Sequence, residues 1–193
     1  MFETLRTHIF NRVSMSEEDF NAGTVLMIPK KLRKRQYLLQ AGDVCRSLAF
    51  ISKGCLRLYS LDEVGGEHIL RFGIEGSWMV DVESFKALKL ANSNIDALED
   101  SELFLMSYES WNKLSVAVPA WEHYIRDILA EEYNSAISRI SDFMGASAEE
   151  RYLHFLAIYP DLFQRVPLHQ IASYLGITPQ SLSRIRKEIT ERR

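Results

Sequence analysis

The sequence predicts an α+β protein with an N-terminal antiparallel β roll of the jelly-roll type, a long central helix and a C-terminal helix-turn-helix domain. Three observations predict it. Short apolar segments separated by glycine-bearing turns run from about Val25 to Leu105, which is typical of a β sandwich or barrel. One uninterrupted helical repeat of apolar residues then covers 119–144, and a compact helical segment completes the chain. We therefore divide the chain into 1–118, 119–144 and 145–193.

The composition is that of an ordinary globular protein, with 193 residues, 47% of them hydrophobic, and a net charge of −3. Cys45 and Cys55 are ten residues apart and the five histidines have neither HxH nor HExxH spacing. A disulfide framework, a zinc site and an iron–sulfur ligand set are therefore excluded. The longest apolar runs are far shorter than the roughly 20 residues that span a bilayer. We expect a cytoplasmic protein with no metal and no membrane partner.

Charge is unevenly distributed along the chain. Residues 1–144 carry 16 basic and 21 acidic side chains, whereas 145–193 carry 7 and 5. A basic C-terminal segment attached to an acidic N-terminal segment is typical of a nucleic-acid-binding domain joined to a sensing domain. Five of the six residues from Lys30 to Arg35 are basic. We interpret this run as an edge strand protected by charge, in preference to a nucleic-acid patch.

The N-terminal elements follow from local signals. The stretch to about Phe20 is expected to be helical, with Ser16 and Asp19 spaced as a cap. Val64-Gly65-Gly66 lies between two apolar segments. Because consecutive glycines accept the positive φ that tight turns demand, this tripeptide predicts a hairpin.

The central helix is longer than its own domain requires. Its 26 residues would extend ~39 Å at ~1.5 Å per residue. This length is greater than the length needed to cover one face of a small β domain. Part of its apolar stripe should therefore contact another molecule, which favours a parallel homodimer; the alternative is packing wholly on its own β domain. Gly145 ends the helix as a hinge, and Ser147 to Glu150 form a capping box for the next one.

The segment from Pro167 to Ile189 has the pattern of a helix-turn-helix. Gly176 allows the tight turn, Thr178 is an N-cap, and Pro179 occupies the first helical position, where its missing amide costs nothing. The residues expected to be buried between the two helices are Leu168, Ile171, Ala172, Leu175, Ile177, Leu182, Ile185 and Ile189.

With those residues turned inward, the outer face of the last helix is polar. Gln180 could pair with adenine and Arg184 with guanine in the major groove, and Ser181 lies beside them. The residues placed to meet phosphates are Ser183, Arg186 and Lys187. We favour a DNA-binding role over a helical module that only packs or docks a protein. Such a module would not need a last helix that begins with Thr-Pro-Gln-Ser.

The segment QIASYLGITPQSLSRI, residues 170–185, resembles the DNA-binding signature of the Crp/Fnr transcription regulators. Upstream, LLQAGD (38–43), ISKG (51–54), RLY (57–59) and ALEDSE (97–102) resemble that family's cyclic-nucleotide-binding β roll. With the long helix between them, the similarity covers nearly the whole chain. The resemblance implies double-stranded DNA, a second copy of the chain and RNA polymerase as partners.

Roles can be carried over from the family to matching positions. The positions that contact base edges fall on Pro179, Gln180, Ser181 and Arg184. Pro179 replaces a commoner polar residue, so specificity there must come from shape or from its neighbours. The family usually has a β-hairpin wing after the reading helix, whereas only Glu191-Arg192-Arg193 follow Thr190 here. We expect the wing's contacts to be missing and the arginines to replace them in part.

The ligand site departs most from the family. The family's phosphate-binding Gly-Glu and Arg-Ser pairs fall on Val80-Asp81 and Ala91-Asn92, so the phosphate-binding arginine is absent. Three possibilities remain open: an uncharged or cationic ligand, no ligand, or a shifted loop in which Arg71 or Lys89 replaces the arginine. We favour an uncharged or cationic ligand or no ligand. We therefore expect that cyclic AMP does not bind in the usual way, and we name no cofactor. The candidate effector pocket is Arg71, Trp78, Asp81, Glu83 and Asn92; alternatively Trp78 is core and the carboxylates are solvated.

Together these features predict a homodimeric, sequence-specific transcription regulator and not an enzyme. A cupin-type enzyme would need paired histidines, and His68 stands alone. The remaining alternative is a cyclic-nucleotide-domain-like module that docks a protein through its C-terminal helices without binding DNA.

Overall fold

A computed structural model describes residues 2–192. The strands within them are β1 (Ile28–Leu32), β2 (Tyr37–Leu39), β3 (Ser47–Lys53), β4 (Leu56–Leu61), β5 (Glu67–Gly73), β6 (Trp78–Met79), β7 (Asn94–Ala97) and β8 (Ser101–Ser107). The helices are α1 (Glu3–Phe10), α2 (Glu17–Thr24), α3 (Val82–Ala87), α4 (Tyr108–Ala117), α5 (Pro119–Gly145), α6 (Ala148–Ile158), α7 (Leu162–Arg165), α8 (Leu168–Leu175) and α9 (Pro179–Glu191). None of these helices is long and apolar enough to cross a membrane.

The strands form two four-stranded antiparallel sheets, with orders β1-β8-β3-β6 and β2-β7-β4-β5. The predicted β roll is therefore confirmed, as is the α+β architecture. The turn between β4 and β5 contains Gly65 with φ of +83°, a conformation that favours glycine. The Asp62 carboxylate accepts a hydrogen bond from the Gly66 amide at 2.7 Å and closes the hairpin.

The N-terminal stretch, which was expected to be helical to about Phe20, contains a break. It forms two helices, and residues 11–16 separate them. Ser16 is extended and its side chain accepts a hydrogen bond from the Asp19 amide at 3.0 Å. The capping signal therefore marks the start of a second helix, because an N-cap residue has non-helical dihedrals.

Helix α5 connects the two ends of the molecule. Its first half packs on the β roll through Trp121, Tyr124, Ile125 and Ile128, which are all buried. The Trp121 ring lies where a side chain at Gly23 would be, so α2 and α5 approach closely. The second half leaves most of its apolar side chains exposed, and it carries the chain to the C-terminal helices.

The C-terminal helices are docked on the β roll. Side chains of α6, α8 and α9 share one apolar core with Tyr59, Ile69 and Phe72 of β4 and β5. β5 is an edge strand, and the Ser173 hydroxyl of α8 satisfies its backbone there. It accepts from the Ile69 amide at 3.1 Å and donates to the Glu67 carbonyl at 2.9 Å. The first helix of the helix-turn-helix is thus hydrogen-bonded to an edge strand of the β roll.

Candidate nucleic-acid interface and sensor cavity

The start of α9 is fixed by its cap. The Thr178 side chain accepts a hydrogen bond from the Ser181 amide at 3.1 Å, and Pro179 follows in the first helical position. Leu182 and Ile185 are buried against the preceding helices. Because these two residues fix the rotation of α9 about its axis, they also determine which side chains face outward.

The outward face presents the side chains predicted to read bases. Gln180 and Arg184 are both exposed and lie one helical turn apart. The Arg184 guanidinium is only loosely paired, with 3.8 Å between its Nε and the Glu188 carboxylate. Pro179 is exposed, whereas Ser181 is half-buried and its hydroxyl accepts from Thr178 at 2.9 Å. Gln180 and Arg184 thus have the freedom to pair with base edges.

The three residues predicted to meet phosphates differ in their surroundings. Ser183 is exposed, and Lys187 is exposed with its Nζ 3.7 Å from Glu191. The Arg186 guanidinium instead lies 3.8 Å from the centre of the Phe163 ring of α7. Arg186 therefore needs a change of side-chain rotamer before it can reach a phosphate away from that ring.

The turn between α8 and α9 is tied to the end of α5. Gly176 has φ of +65°, and a Cβ there would overlap the Phe143 ring. The Arg151 guanidinium donates to the carbonyls of Leu175 and Ala146, at 3.0 and 2.9 Å. The turn that precedes α9 is therefore in direct contact with the end of α5 and with α6.

The segment that matches the family's phosphate-binding pairs is closed by its own hydrogen bonds. Asp81 caps α3, where its carboxylate accepts from the Ser84 amide at 3.0 Å and from the Ser93 hydroxyl at 2.5 Å. Ala91 is buried, and its amide donates to the Asp43 carbonyl at 2.8 Å. Glu83 and Asn92 are exposed on the surface. The segment contains no arginine, and its two lysines, Lys86 and Lys89, are exposed.

A cavity of about 630 Å³ lies elsewhere, between β5, the loop that follows it, α1, α5 and the C-terminal helices. We call it the sensor cavity. Of the five residues predicted to form an effector pocket, Arg71 and Trp78 line it, and Asp81, Glu83 and Asn92 do not. The physical reason is that the carboxylate of Asp81 is used in capping, while Glu83 and Asn92 point to solvent. The charged side chains of its lining are Arg12, Arg71, Glu75, Glu131, Glu132 and Arg139.

The positive groups of the sensor cavity are already engaged. Arg71 forms an ion pair with Glu132 of α5. Burial raises the pKa of Glu132, although Arg71 opposes that shift. Arg139 donates to the carbonyls of Leu70 and Ile69, and Arg12 lies 3.5 Å from Glu131. The lining thus contains three arginines and three glutamates, of which Glu75 is paired with Arg165 outside the cavity.

Two lining residues, Trp78 and His8, are joined through the buried Tyr124 by hydrogen bonds that no sequence pattern indicated. The Trp78 indole donates to the Tyr124 hydroxyl at 2.8 Å, and that hydroxyl lies 2.8 Å from His8 Nδ1. The Tyr124 hydroxyl donates to His8 Nδ1 in one tautomer of neutral His8 and accepts from it in the other. Burial, with a contribution from Arg12, lowers the pKa of His8 to about 4. His8 is therefore a neutral side chain in the lining of the cavity near pH 7.

Thiol and metal chemistry find little support in the described part of the chain. Cys45 and Cys55 are buried and unpaired, and burial raises the pKa of the Cys55 thiol to about 12. No group of three or more His, Cys, Asp or Glu side chains within 2–192 is arranged to hold a metal ion.

The second half of α5 carries an exposed apolar stripe. Its members recur at spacings of 4, 4, 3 and 4 residues, which is close to a heptad repeat. They are Leu129, Tyr133, Ile137, Ile140 and Met144. One member of the stripe, Ile140, also lines the sensor cavity, together with Glu132, Ser135 and Arg139 of the same helix. A partner on the stripe would leave those three residues free to face the β roll.

Comparison with known proteins gives a consistent picture. The domain family described as "Cyclic nucleotide-binding domain" matches residues 29–116. The chain is 29% identical over 169 residues to the fumarate and nitrate reduction regulatory protein of Vibrio cholerae serotype O1. That match covers 81% of this chain and 66% of the relative, so this chain spans just under two thirds of the length of that protein.

Solved structures share the same fold. FixK2 from Bradyrhizobium japonicum superposes with a TM-score of 0.72 at 18% identity, over 86% of this chain and 85% of that one. The c-di-GMP-responsive global regulator CLP of Xanthomonas campestris gives 0.73 at 15% identity, over 91% and 92%. The β roll, long helix and C-terminal helices therefore form one recurrent arrangement.

Proposed function

We propose that the chain is a member of the Crp/Fnr family of transcription regulators, and that it is a homodimeric, sequence-specific DNA-binding regulator that reads DNA with α9. One observation carries the proposal. Gln180 and Arg184 are exposed on one face of α9, while Leu182 and Ile185 anchor the opposite face in a core. A rigid helix with free amide and guanidinium groups is what major-groove readout requires. The proposal assigns no catalytic step.

The apolar stripe of α5 supports the dimer. Two copies packed in parallel along Tyr133, Ile137 and Ile140 would bury side chains that one copy leaves in water. A twofold axis along this seam would set two α9 helices roughly 34 Å apart, on successive major grooves of a near-palindromic site.

Each side chain of α9 then has a distinct role. Gln180 pairs with adenine and Arg184 with guanine, while Pro179 and Ser181 contribute shape and a hydroxyl at the same edge. Ser183 and Lys187 contact phosphates, and Arg186 joins them after leaving the Phe163 ring.

The β roll acts as the sensor in this proposal. Ala91 stands where the family's phosphate-binding arginine would be, and Asp81 is committed to a cap. We therefore propose that an effector, where one acts, is net neutral and occupies the sensor cavity instead of binding as cyclic AMP does. The protein works in the cytoplasm with DNA, a second copy of itself and RNA polymerase as partners.

Selection of bound fragments from random DNA is the first test, since it returns the site, its symmetry and its spacing together. On the selected site, Arg184→Ala should cost ~1–3 kcal/mol at one base position per half-site. Lys187→Ala should weaken binding to all sequences alike and reduce the salt dependence by about one phosphate contact. Equal, sequence-independent losses in both variants would contradict the assigned roles. Absence of DNA binding at low salt would favour the protein-docking alternative.

A further inference from the structure

The C-terminal helices contact the β roll near both ends of β5. Near the start of the strand, the Ser173 hydroxyl of α8 accepts a hydrogen bond from the Ile69 amide at 3.1 Å. Past the end of the strand, Arg165 of α7 forms an ion pair with Glu75. Ile69 and Gly73, the last residue of β5, are four residues apart, which is about 13 Å at ~3.3 Å per residue. The two contacts are therefore separate anchors on the β roll.

Arg165 bridges two carboxylates of the β roll. Its two terminal nitrogens donate to the two oxygens of Glu75, each at 2.9 Å, and one of them also donates to Glu99 at 2.5 Å. Glu75 lies in the turn after β5, whereas Glu99 lies in the turn between β7 and β8. A bidentate pair between a guanidinium and a carboxylate fixes direction as well as distance. Arg165 therefore ties α7 to two different turns of the β roll.

Glu75 is itself held in place. Its Oε1 also accepts a hydrogen bond from the Gly54 amide at 2.7 Å. The turn that carries Glu75 is closed by a hydrogen bond from the Ser77 amide to the Ile74 carbonyl at 2.9 Å. Glu75 also lies in the lining of the sensor cavity. Arg165 is therefore attached to an ordered turn that borders the cavity.

Within residues 2–192, Arg165 is the one residue of α6–α9 that forms ion pairs with the β roll. The other contacts with the roll are apolar packing and hydrogen bonds, such as that from the Tyr159 hydroxyl to the Phe72 carbonyl at 3.2 Å. Apolar packing is not directional. The ion pairs of Arg165 therefore restrict a rotation of the C-terminal helices that the apolar core alone would permit.

Helix α7 links these ion pairs to the reading helix. Leu162, its first residue, is buried in one core with Leu182 and Ile185 of α9. The Phe163 ring lies 3.8 Å from the Arg186 guanidinium of α9. Because α7 and α9 pack together in this way, a change in the position of α7 on the β roll changes the position of α9.

We propose that Arg165 is a positioning residue for base reading, which fixes the distance between the two α9 helices of the dimer by holding α7 against Glu75 and Glu99. The inference rests on the proposed function, because that distance matters only when two copies bind one DNA site. Without Arg165, the C-terminal helices keep the anchor at Ser173 and can pivot about it. One base pair corresponds to only about 3.4 Å of the DNA axis, so a small pivot changes the spacing that fits best.

The test varies the number of base pairs between the two half-sites. Binding of the full chain is measured on the selected site and on sites with one base pair added or removed at the centre. The test variant is Arg165→Gln, and Arg165→Lys keeps the charge but loses the bidentate geometry. The matched control is Arg126→Gln, which removes an exposed arginine paired with Glu122 on α5. Because both Gln variants remove one positive charge, a general effect of net charge is the same in each.

We expect the wild type and the control to bind the selected site more tightly than either altered site. In Arg165→Gln this spacing preference should fall by about 3- to 5-fold, which is the upper range for a partly exposed ion pair. In Arg165→Lys it should fall by less. A loss of folding stability alone would weaken binding to all three sites by the same factor and would leave the spacing preference unchanged. The preference therefore separates positioning from a purely structural role.

Removal of the two carboxylates tests the partners of Arg165. In a background with Glu75→Gln and Glu99→Gln, Arg165→Gln should have no further effect on the spacing preference, because the interaction is already absent. An undiminished effect of Arg165→Gln in that background would mean that Arg165 does not act through these two residues, and would overturn the proposal.

Other results would also overturn it. One is a full spacing preference in Arg165→Gln, and another is an equal loss of preference in the Arg126→Gln control. A wild type that binds no DNA, or that binds a single half-site as tightly as the pair, would instead refute the proposed function itself. If Arg165→Gln does not fold, Glu99→Gln leaves the pair between Arg165 and Glu75 and should give a smaller loss of the same preference. An unchanged preference in Glu99→Gln would then count against the proposal.

Discussion

Gly176 offers the sharpest test of how the reading helix is held. Its φ of +65° and its closeness to Phe143 give Gly176→Ala two separate penalties. The left-handed conformation costs roughly 1–2 kcal/mol in any residue with a Cβ. Overlap with the Phe143 ring adds about 1–3 kcal/mol, as overpacking does elsewhere. Because Phe143 is 41% exposed and its ring can move in part, we expect a total near 2–4 kcal/mol, measured by urea unfolding.

A matched glycine and a double mutant separate the two penalties. Gly65 has φ of +83° but open space around it, so Gly65→Ala should show only the conformational cost. In a Phe143→Ala background, Gly176→Ala should likewise fall to about 1–2 kcal/mol. If Gly176→Ala costs no more than Gly65→Ala, or costs the same with and without the Phe143 ring, then the turn is not pressed against α5 and does not transmit the packing of α5 to α9.

Three further predictions concern the sensor, the interdomain contact and the dimer. The pKa of His8 is lowered from 6.5 to about 4, so between these values the unfolded chain takes up a proton that the folded chain does not. The free energy of unfolding should therefore fall as the pH drops through that interval, and it should fall less steeply in His8→Gln. Equal slopes in the two proteins would contradict this. Arg165→Gln removes the cation between Glu75 and Glu99 and should speed hydrogen exchange in α8, whereas unchanged exchange would mean that the apolar core alone holds the domain. Tyr133→Glu places a charge in the α5 stripe and should halve the mass measured by light scattering; a persistent dimer would locate the seam elsewhere.

Sequence reasoning succeeded where the determinants are local. The cap at Thr178, the turn at Gly176 and the apolar repeat of α5 each depend on residues within one or two turns of each other. The same holds for Ser147 and Glu150, whose reciprocal hydrogen bonds start α6 as the capping-box pattern predicts. Such signals can be recognised without knowing where the element packs.

The sensor cavity and the domain contact could not be predicted in this way. The Trp78–Tyr124–His8 chain joins residues up to 116 positions apart, and Ser173 meets Ile69 across 104 positions. Arg71 was a candidate for a phosphate partner, yet it pairs with Glu132, which no spacing rule connects to it. Asp81 likewise has the sequence position of a ligand contact, but local capping uses its carboxylate. Long-range pairing decides the role of most of these side chains.

The hydrogen bonds of the Ser173 hydroxyl to β5 have a consequence for the β roll when it is isolated from the C-terminal helices. In the intact chain, α8 covers the open edge of β5. Without α8, the backbone amides and carbonyls at that edge are free to pair with a strand of another copy. A fragment cut at the hinge should therefore self-associate through β5, and Ile69→Lys should keep it monomeric. The C-terminal helices would then also cover an edge of the β roll that would otherwise be open.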